Sequence, residues 1–219
     1  RNAFLLCVGG GILTDIGGFV ASIYKRGIKC GYVPTTLLAQ VDASTGGKTG
    51  VNLSGLKNIL GTFSLPEFTY INTSTLKTLP HRELLAGAAE MIKAFAIKDK
   101  ESFAKAQMCF RNGIDTSSPE FRELLATAIG IKAGVVERDF RESGERKLLN
   151  FGHTIGHAIE KCASERGDSI LHGEAVAKGM MVASQISVIR GYLSEDDHNT
   201  LRHSLENMGF DLSIGYEAE

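Results

Sequence analysis

The sequence predicts an α/β segment followed by an all-helical segment, with the boundary near Pro80. Three observations favour this fold class. Apolar runs of strand length lie before Pro80, a run of three glycines separates the first run from a helical pattern, and after Pro80 the apolar residues recur at helical spacing. We therefore expect an α/β domain at residues 1–80 and a helical domain at residues 81–219.

The chain is predicted to begin with a strand, a glycine turn and a helix. Residues 3–8 form a continuous apolar run, as expected for a buried parallel strand. Residues 9–11 are all glycine, and residues 15–25 have a helical pattern. Because such glycines let the backbone approach a pyrophosphate at a helix N-terminus, this arrangement predicts half of a nucleotide-binding unit.

Two further strands and a short helical segment complete the α/β part. Residues 30–33 are predicted to form a second strand, which ends at Pro34. Thr35 and Thr36 open the next helical segment, and residues 68–71 form a third strand.

The glycine-rich run at residues 46–50 superficially resembles the phosphate-binding loop of nucleoside triphosphatases. That motif requires an additional glycine at position 42, which is aspartate here. We therefore reject a triphosphatase function.

Five helices are predicted after Pro80. Pro119 suits a first helical position, Ser194 with Asp197 resembles a capping box, and Gly209 suits a helix end. The periodicity places the helices at residues 81–106, 119–138, 153–165, 172–190 and 195–207.

Composition excludes several partners. The 219 residues carry 24 basic and 25 acidic side chains, so the net charge of −1 gives no electrostatic basis for binding nucleic acid or an anionic membrane. No apolar run reaches transmembrane length. The scattered cysteines predict buried thiols of a reduced, cytoplasmic protein: Cys7, Cys30, Cys109 and Cys162. The chain begins without Met and enters a strand almost at once, so we interpret it as a fragment of a longer protein.

Three histidines indicate a metal site. His153 and His157 are four residues apart and lie on one helix face, and His172 follows after a turn. A lone histidine is more often a core or surface residue, and the metalloprotease pattern is absent because no glutamate follows His153. Upstream, Glu90 and Lys93 share a face of an otherwise apolar helix, so Glu90 is a candidate acidic ligand. A simple Glu–Lys ion pair is the alternative interpretation.

Several polar residues stand in apolar or glycine-rich surroundings. Four lysines and an arginine that converged on one pocket would bind a substrate with phosphate and carboxylate groups, although a solvated surface position is the commoner explanation for any single lysine. The candidates are Asp42, Lys48, Lys57, Asn58, Lys93, Lys132, Arg146 and Asn150. The remaining histidines, which fit no motif and are expected at the surface, are His81, His198 and His203.

The order of these motifs resembles the 3-dehydroquinate synthase family. The matching segments are residues 9–15, 33–42, 46–52, 55–58, 79–83, 89–93, 148–157 and 171–176. Several are long, such as LLNFGHTIGH at residues 148–157, and the resemblance runs from Ala3 to about Gly191. Thr14 stands where the family often has glycine.

The resemblance implies a partial Rossmann-like NAD-binding domain and a helical domain that holds one divalent metal, usually zinc, with cobalt as the alternative. The implied metal ligands are Glu90, His153 and His172. The implied NAD contacts are Gly11, Ile12, Leu13, Thr14, Asp15, Thr35, Thr36, Lys48, Lys57, Thr75, Leu76, Lys77 and Thr78. The implied substrate pocket contains Asp42, Lys48, Asn58, Lys93, Lys132, Arg146, Asn150 and His157, so His157 would be a neighbour of the metal and not a ligand.

The family reaction converts 3-deoxy-D-arabino-heptulosonate 7-phosphate to 3-dehydroquinate and phosphate, in the biosynthesis of aromatic amino acids. By resemblance, NAD transiently oxidises a hydroxyl, phosphate is eliminated, the hydride returns, and an aldol step closes the ring. Lys93 and Lys132 would bind the anionic groups, Arg146 would face the carboxylate, and His157 would relay a proton. The family also implies a homodimer.

Three alternatives stay open. Other sugar phosphate cyclases of this scaffold act on substrates such as sedoheptulose 7-phosphate, although the matches at Asn58, Arg146, Asn150 and His157 favour a substrate with a carboxylate. Metal-dependent alcohol dehydrogenases of related fold would release NADH and need fewer basic residues. Finally, the chain could be a metal-holding helical module with no turnover of its own.

Overall fold

A computed structural model describes residues 3–54 and 56–215, without the side chains of Leu56 and Lys57. The described residues of the N-terminal part contain five strands and one long helix. In chain order they are β1 (Phe4–Gly9), α1 (Gly11–Ile23), β2 (Lys29–Pro34), β3 (Lys48–Leu53), β4 (Leu56–Phe63) and β5 (Phe68–Thr69). Helix α1 begins one turn earlier than the sequence pattern predicts, directly after the glycine turn.

The strands β1, β2 and β5 form a parallel sheet with β2 in the middle. Helix α1 packs against one face through a small core of Cys7, Ala21, Cys30 and Tyr32. The alternate side chains of β1 point to the other face and about half of each is exposed. The prediction of a buried first strand is therefore wrong for one face, because no described helix covers it.

An antiparallel hairpin of β3 and β4 follows, which the sequence analysis did not predict. Thr49 is opposite Thr62, and Gly50 is opposite Gly61. The hydroxyl of Thr62 donates to Ser22 Oγ of α1 at 2.9 Å, so the hairpin is joined to the first helix. The glycine run at 46–50 leads into a strand and not into a helix, which agrees with the rejection of a phosphate-binding loop.

Up to residue 215, where the description ends, six α-helices form the C-terminal part: α2 (His81–Lys98), α3 (Lys100–Phe110), α4 (Pro119–Arg138), α5 (His153–Arg166), α6 (His172–Ile189) and α7 (Glu195–Asn207). The helix predicted at 81–106 is two helices, because Asp99 leaves the helical conformation and its carboxylate caps α3 by accepting from Ser102 N at 2.9 Å. The predicted caps of α4 and α7 are confirmed: Pro119 opens α4 and Ser194 caps α7.

Helix α2 lies at the centre of the helical part. Its residues Met91, Ile92 and Phe95 are completely buried, as expected for a helix that is apolar almost all round. The surrounding core comes from α3, α4, α6 and α7. Among the described helices, none is both long and apolar enough to cross a membrane.

Two predictions about exposure are wrong. His198 is buried, and its Nδ1 lies 2.8 Å from Ser184 Oγ, a contact that joins α7 to α6; its Nε2 lies 3.2 Å from a nitrogen of Arg202 on the same helix. Cys162 is exposed on α5 and Cys109 is half-buried, whereas the other two thiols are buried as predicted.

Candidate active site

Three helices bring a carboxylate and two imidazoles together. Glu90 lies in the middle of α2, and His153 and His172 are the first residues of α5 and α6. Glu90 Oε1 lies 3.6 Å from His153 Nε2 and 3.7 Å from His172 Nε2. These distances are too long for hydrogen bonds. They are close to the separation of about 3.4 Å between ligand atoms of a tetrahedral ion with bonds of about 2.0–2.1 Å.

The carboxylate of Glu90 is deeply buried. Its side chain is 1% exposed, and neither oxygen accepts a hydrogen bond from a described residue. Lys93 Nζ lies 2.5 Å from Oε2, but this ion pair lacks hydrogen-bond geometry. Because a buried carboxylate is costly without such bonds, the arrangement fits a divalent cation on the side of Oε1.

Both imidazoles direct Nε2 towards this carboxylate because acceptors face their Nδ1 atoms. His153 Nδ1 lies 3.3 Å from Phe151 O, and His172 Nδ1 lies 3.2 Å from Glu160 Oε1. Burial, followed by the nearby Lys93 ammonium, lowers the pKa of His153 to about 4. A neutral imidazole with its lone pair on Nε2 is the form that binds a metal.

Close helix contacts fix the positions of these candidate ligands. A Cβ on Gly173, the residue after His172, would lie 2.0 Å from Ala86 O of α2. Gly152, just before His153, has a φ of 80° and a Cβ there would lie 2.8 Å from Val176 O of α6. Glycine at both positions therefore lets α2, α5 and α6 approach at the point where the ligands converge.

An ion pair between Arg82 and Glu174 holds the beginning of α6 in place. Glu174 accepts from the backbone N–H of Leu171 at 2.8 Å, and its two oxygens receive Arg82 Nε at 2.5 Å and Arg82 Nη2 at 2.7 Å. Arg82 also donates to Ser169 O at 2.7 Å. The loop before His172 is thus attached to the first turn of α2.

A cavity of about 630 Å³ opens beside this triad, between α1, the hairpin and the helical part. Its size is typical of a small-molecule site. Two of the three candidate ligands line it, His153 and His172, with Glu90 buried behind them. All eight residues expected in a substrate pocket also line it: Asp42, Lys48, Asn58, Lys93, Lys132, Arg146, Asn150 and His157.

The ammonium of Lys132 is paired with Asp42. Lys132 Nζ donates to the Asp42 carboxylate and, at 2.7 Å, to the Asp42 carbonyl. Burial alone would raise the pKa of Asp42, but the Lys132 and Lys93 ammonium groups outweigh it and hold that pKa below its usual range. Burial lowers the pKa of Lys132 in spite of the Asp42 charge.

The guanidinium of Arg146 is buried and held by backbone. It donates to Phe140 O at 2.6 Å and to Gly46 O at 3.0 Å. Asp139 accepts from the backbone N–H groups of Gly144 and Arg146 and thereby shapes the loop that carries this arginine. Arg146 is therefore fixed in the cavity wall before any substrate enters.

Glu142 lines the cavity although the sequence analysis did not select it. Its carboxylate accepts from Lys48 Nζ and, at 2.5 Å, from Asn150 Nδ2. Its φ of 60° is unusual for a residue other than glycine. The surrounding sequence is a run of charges, which is typical of a solvated loop, so no local signal distinguishes Glu142 from its neighbours.

The expected NAD contacts divide into two groups. Gly11, Ile12, Asp15 and Lys48 line the cavity. The others lie outside that lining, and three of them make hydrogen bonds within the protein. The Thr14 hydroxyl donates to Gly11 O at 2.9 Å, and the Thr36 hydroxyl accepts from Ala39 N at 3.2 Å. The Thr75 hydroxyl accepts from Gln40. This second group is Leu13, Thr14, Thr35, Thr36, Thr75, Leu76, Lys77 and Thr78. The side chain of Lys57 lies outside the described residues.

Both halves of the chain match descriptions of the 3-dehydroquinate synthase family. The family descriptions 3-dehydroquinate synthase N-terminal and 3-dehydroquinate synthase C-terminal match residues 1–86 and 87–219. A 3-dehydroquinate synthase of Thermodesulfovibrio yellowstonii is 44% identical over 98% of this chain. The chain spans 59% of the length of that relative.

Two solved structures are also similar. One is 2-epi-5-epi-valiolone synthase from Streptomyces hygroscopicus subsp. jinggangensis with NAD⁺ and Zn²⁺ bound. It is 32% identical with a TM-score of 0.90, over 97% of this chain and 59% of that one. The other is 2-deoxy-scyllo-inosose synthase complexed with carbaglucose-6-phosphate, NAD⁺ and Co²⁺. It is 31% identical with a TM-score of 0.85, over 98% of this chain and 57% of that one. Together with the two matches that cover its whole length, these similarities show that the chain belongs to the 3-dehydroquinate synthase family.

Proposed function

We propose that this chain is the core of an NAD- and metal-dependent 3-dehydroquinate synthase that converts 3-deoxy-D-arabino-heptulosonate 7-phosphate to 3-dehydroquinate and phosphate. One observation carries the proposal: two members of the Glu90–His153–His172 triad, His153 and His172, line the same cavity as the predicted basic and amide side chains. In this proposal residues 1–80 bind NAD, and residues 81–219 hold the metal and most of the substrate.

The charge of the cavity suits a substrate with a phosphate and a carboxylate. Among the described residues, its lining contains four cationic side chains, Lys48, Lys93, Lys132 and Arg146, against the three carboxylates of Asp15, Asp42 and Glu142. A divalent cation on the triad adds positive charge beside them. Low-dielectric walls strengthen the attraction of such groups for an anion.

The cofactors supply chemistry that side chains lack: NAD⁺ accepts and returns a hydride, and Zn²⁺ or Co²⁺ acidifies a bound hydroxyl and polarises a carbonyl. The triad would hold the metal, and the backbone at Gly11 would approach the dinucleotide where α1 begins. The structural relatives bind NAD⁺ with Zn²⁺ or Co²⁺, which supports this assignment.

The chain's own side chains would bind the substrate and move its protons. Lys93 and Lys132 would hold the anionic groups and oppose the charge that develops as phosphate leaves. Arg146 would face the carboxylate, because its planar fork matches that group. His157 is exposed, and its ring centroid lies 5.4 Å from that of His153 and 5.9 Å from that of His172, so it could exchange a substrate proton with water.

A second candidate is a cyclase with a different sugar phosphate as its substrate. Two observations favour it: the similarity to valiolone and inosose synthases, and the use of two Arg146 nitrogens on backbone carbonyls, which leaves this arginine fewer donors for a substrate carboxylate. Sedoheptulose 7-phosphate is the alternative substrate to test.

The experiment uses the complete protein with Zn²⁺ and catalytic NAD⁺ and measures released phosphate, product identity and NADH absorbance. Phosphate with 3-dehydroquinate and no net NADH supports the proposal. Turnover of sedoheptulose 7-phosphate alone supports the second candidate, and net NADH without phosphate indicates a dehydrogenase. The proposal also includes a homodimer and a cytoplasmic location. Sedimentation of the same sample tests the homodimer, and fractionation of the source cell tests the location.

A further inference from the structure

The two ring nitrogens of His172 face different carboxylates. Nε2 is 3.7 Å from Glu90 Oε1, whereas Nδ1 is 3.2 Å from Glu160 Oε1. Only the second distance is within hydrogen-bonding range. The Glu160 side chain is 18% exposed, so this contact is partly shielded from water.

The contact with Glu160 decides which nitrogen of His172 carries the proton. An ionised carboxylate only accepts hydrogen bonds, so Nδ1 donates and the lone pair lies on Nε2, on the side of Glu90. Histidines that bind metals usually donate their other N–H to such an acceptor, which sets both the tautomer and the ring orientation.

The fold explains why His172 uses a side-chain acceptor. His153 has a backbone carbonyl for this purpose, that of Phe151 two residues earlier. His172 instead opens α6, and the neighbouring α5 places Glu160 beside it, since the two helices approach closely at Gly156. The hydrogen bond thus connects α5, the helix that carries His153, to the side chain of His172.

We infer that Glu160 is a positioning residue for His172: its carboxylate accepts the Nδ1 hydrogen and holds Nε2 towards the metal. This inference rests on the metal site of the proposed function. Glu160 itself contacts neither metal nor substrate in this arrangement.

A second ion is the competing explanation, because ligand atoms of His157, Glu160 and His172 also lie within 4.8 Å of one another. A neutral imidazole has one lone pair, which the first site requires at Nε2. An ion on Nδ1 would require the ring to lose its remaining proton. The hydrogen bond is therefore the favoured arrangement.

The test compares metal affinity in four forms of the complete protein: unchanged, Glu160→Gln, Glu160→Ala and Glu165→Gln. Glu165 is the matched control, since it lies on the same helix but is 65% exposed, with Lys161 Nζ 3.8 Å away. Cobalt titration by visible absorption gives the stoichiometry and ligand geometry, and competition with a chromophoric chelator gives the zinc Kd. Thermal unfolding of the metal-free proteins checks the fold.

We expect one equivalent of cobalt in every form and a zinc Kd about 10- to 100-fold weaker in Glu160→Ala. Glu160→Gln should fall between, because an amide oxygen still accepts the hydrogen, and its metal-free unfolding temperature should match that of the control. Equal zinc affinities in Glu160→Ala and Glu165→Gln would overturn the inference. Two equivalents in the unchanged protein, with only the weaker one lost in Glu160→Ala, would instead make Glu160 a ligand of a second ion. Absence of cobalt binding in the unchanged protein would overturn the proposed metal site itself.

Discussion

Replacing Gly173 by alanine should separate two of the helices that carry the candidate metal ligands. The new Cβ would lie 2.0 Å from Ala86 O and 2.5 Å from Ala86 C, whereas ordinary contacts begin near 3.4 Å. The obstructing atoms belong to the backbone of α2, so no side chain can turn away. Relief of the clash requires a displacement of about 1.4 Å between α6 and α2, next to His172 and one turn before Glu90.

The substitution is expected to weaken both metal binding and folding. Metal–ligand distances tolerate about 0.2 Å, so the displacement should weaken zinc affinity by about 100-fold or more. Overpacking of this kind costs about 1–3 kcal/mol of unfolding free energy. The assay is cobalt and zinc titration with urea unfolding of the metal-free protein.

Gly130→Ala is the matched control for this experiment. It makes the same substitution within α4, where a Cβ meets nothing within 4 Å, and should add up to about 1 kcal/mol through helix propensity. Gly173→Ala protein that bound zinc as tightly as the control and unfolded at the same urea concentration would refute the idea that this contact sets the ligand spacing.

Three further outcomes are expected. Burial, followed by the Arg202 charge, lowers the pKa of His198. Its contribution to stability is therefore complete above the unfolded pKa of about 6.5 and is lost as the pH falls. His198→Gln should flatten the slope of unfolding free energy against pH below that value, and an unchanged slope would contradict this expectation. Lys132→Met should reduce the unfolding free energy by about 1–3 kcal/mol, because it leaves the Asp42 carboxylate without its partner. The double variant with Asp42→Asn should recover part of this loss in urea unfolding. If the losses of free energy in the two single variants simply added up in the double variant, the pairing would be contradicted. Cys162 should react with a thiol reagent faster than the two buried thiols of β1 and β2, whose pKa values burial raises, and equal rates under native conditions would show that the sheet core is open.

The helical part was the more predictable half of the fold, because its signals are local. The bounds of α4 and α7 follow from an apolar periodicity and from caps at Pro119 and Ser194, which act within one turn. The break at Asp99 was missed because the apolar pattern continues across it, while a side-chain cap separates the two helices. The hairpin was missed because its glycines and polar residues lack strand periodicity and its pairing is set by contacts between distant residues.

The candidate site was predictable where spacing determines geometry. His153 and His157, four residues apart, necessarily share a helix face, and a carboxylate such as Glu90 in an apolar helix requires a partner. Glu142 and Glu160 follow no such rule. Glu142 lies in a charged loop and has a positive φ. Glu160 contacts a histidine on a different helix, so only the packing of α5 on α6 identifies Glu160.

Glu90 also lies between the candidate metal site and the proposed substrate pocket. Its Oε1 faces the two imidazoles, while its Oε2 faces the ammonium of Lys93, which lines the cavity. A cation on the triad would compete with Lys93 for the same buried carboxylate and weaken that ion pair, because both positive charges would then share one negative charge. Lys93 would become free to bind an anion only after the metal is in place. We therefore expect zinc to tighten the binding of inorganic phosphate to the protein, and Glu90→Gln to remove this coupling; phosphate affinity that was independent of zinc would show that Lys93 does not respond to the metal.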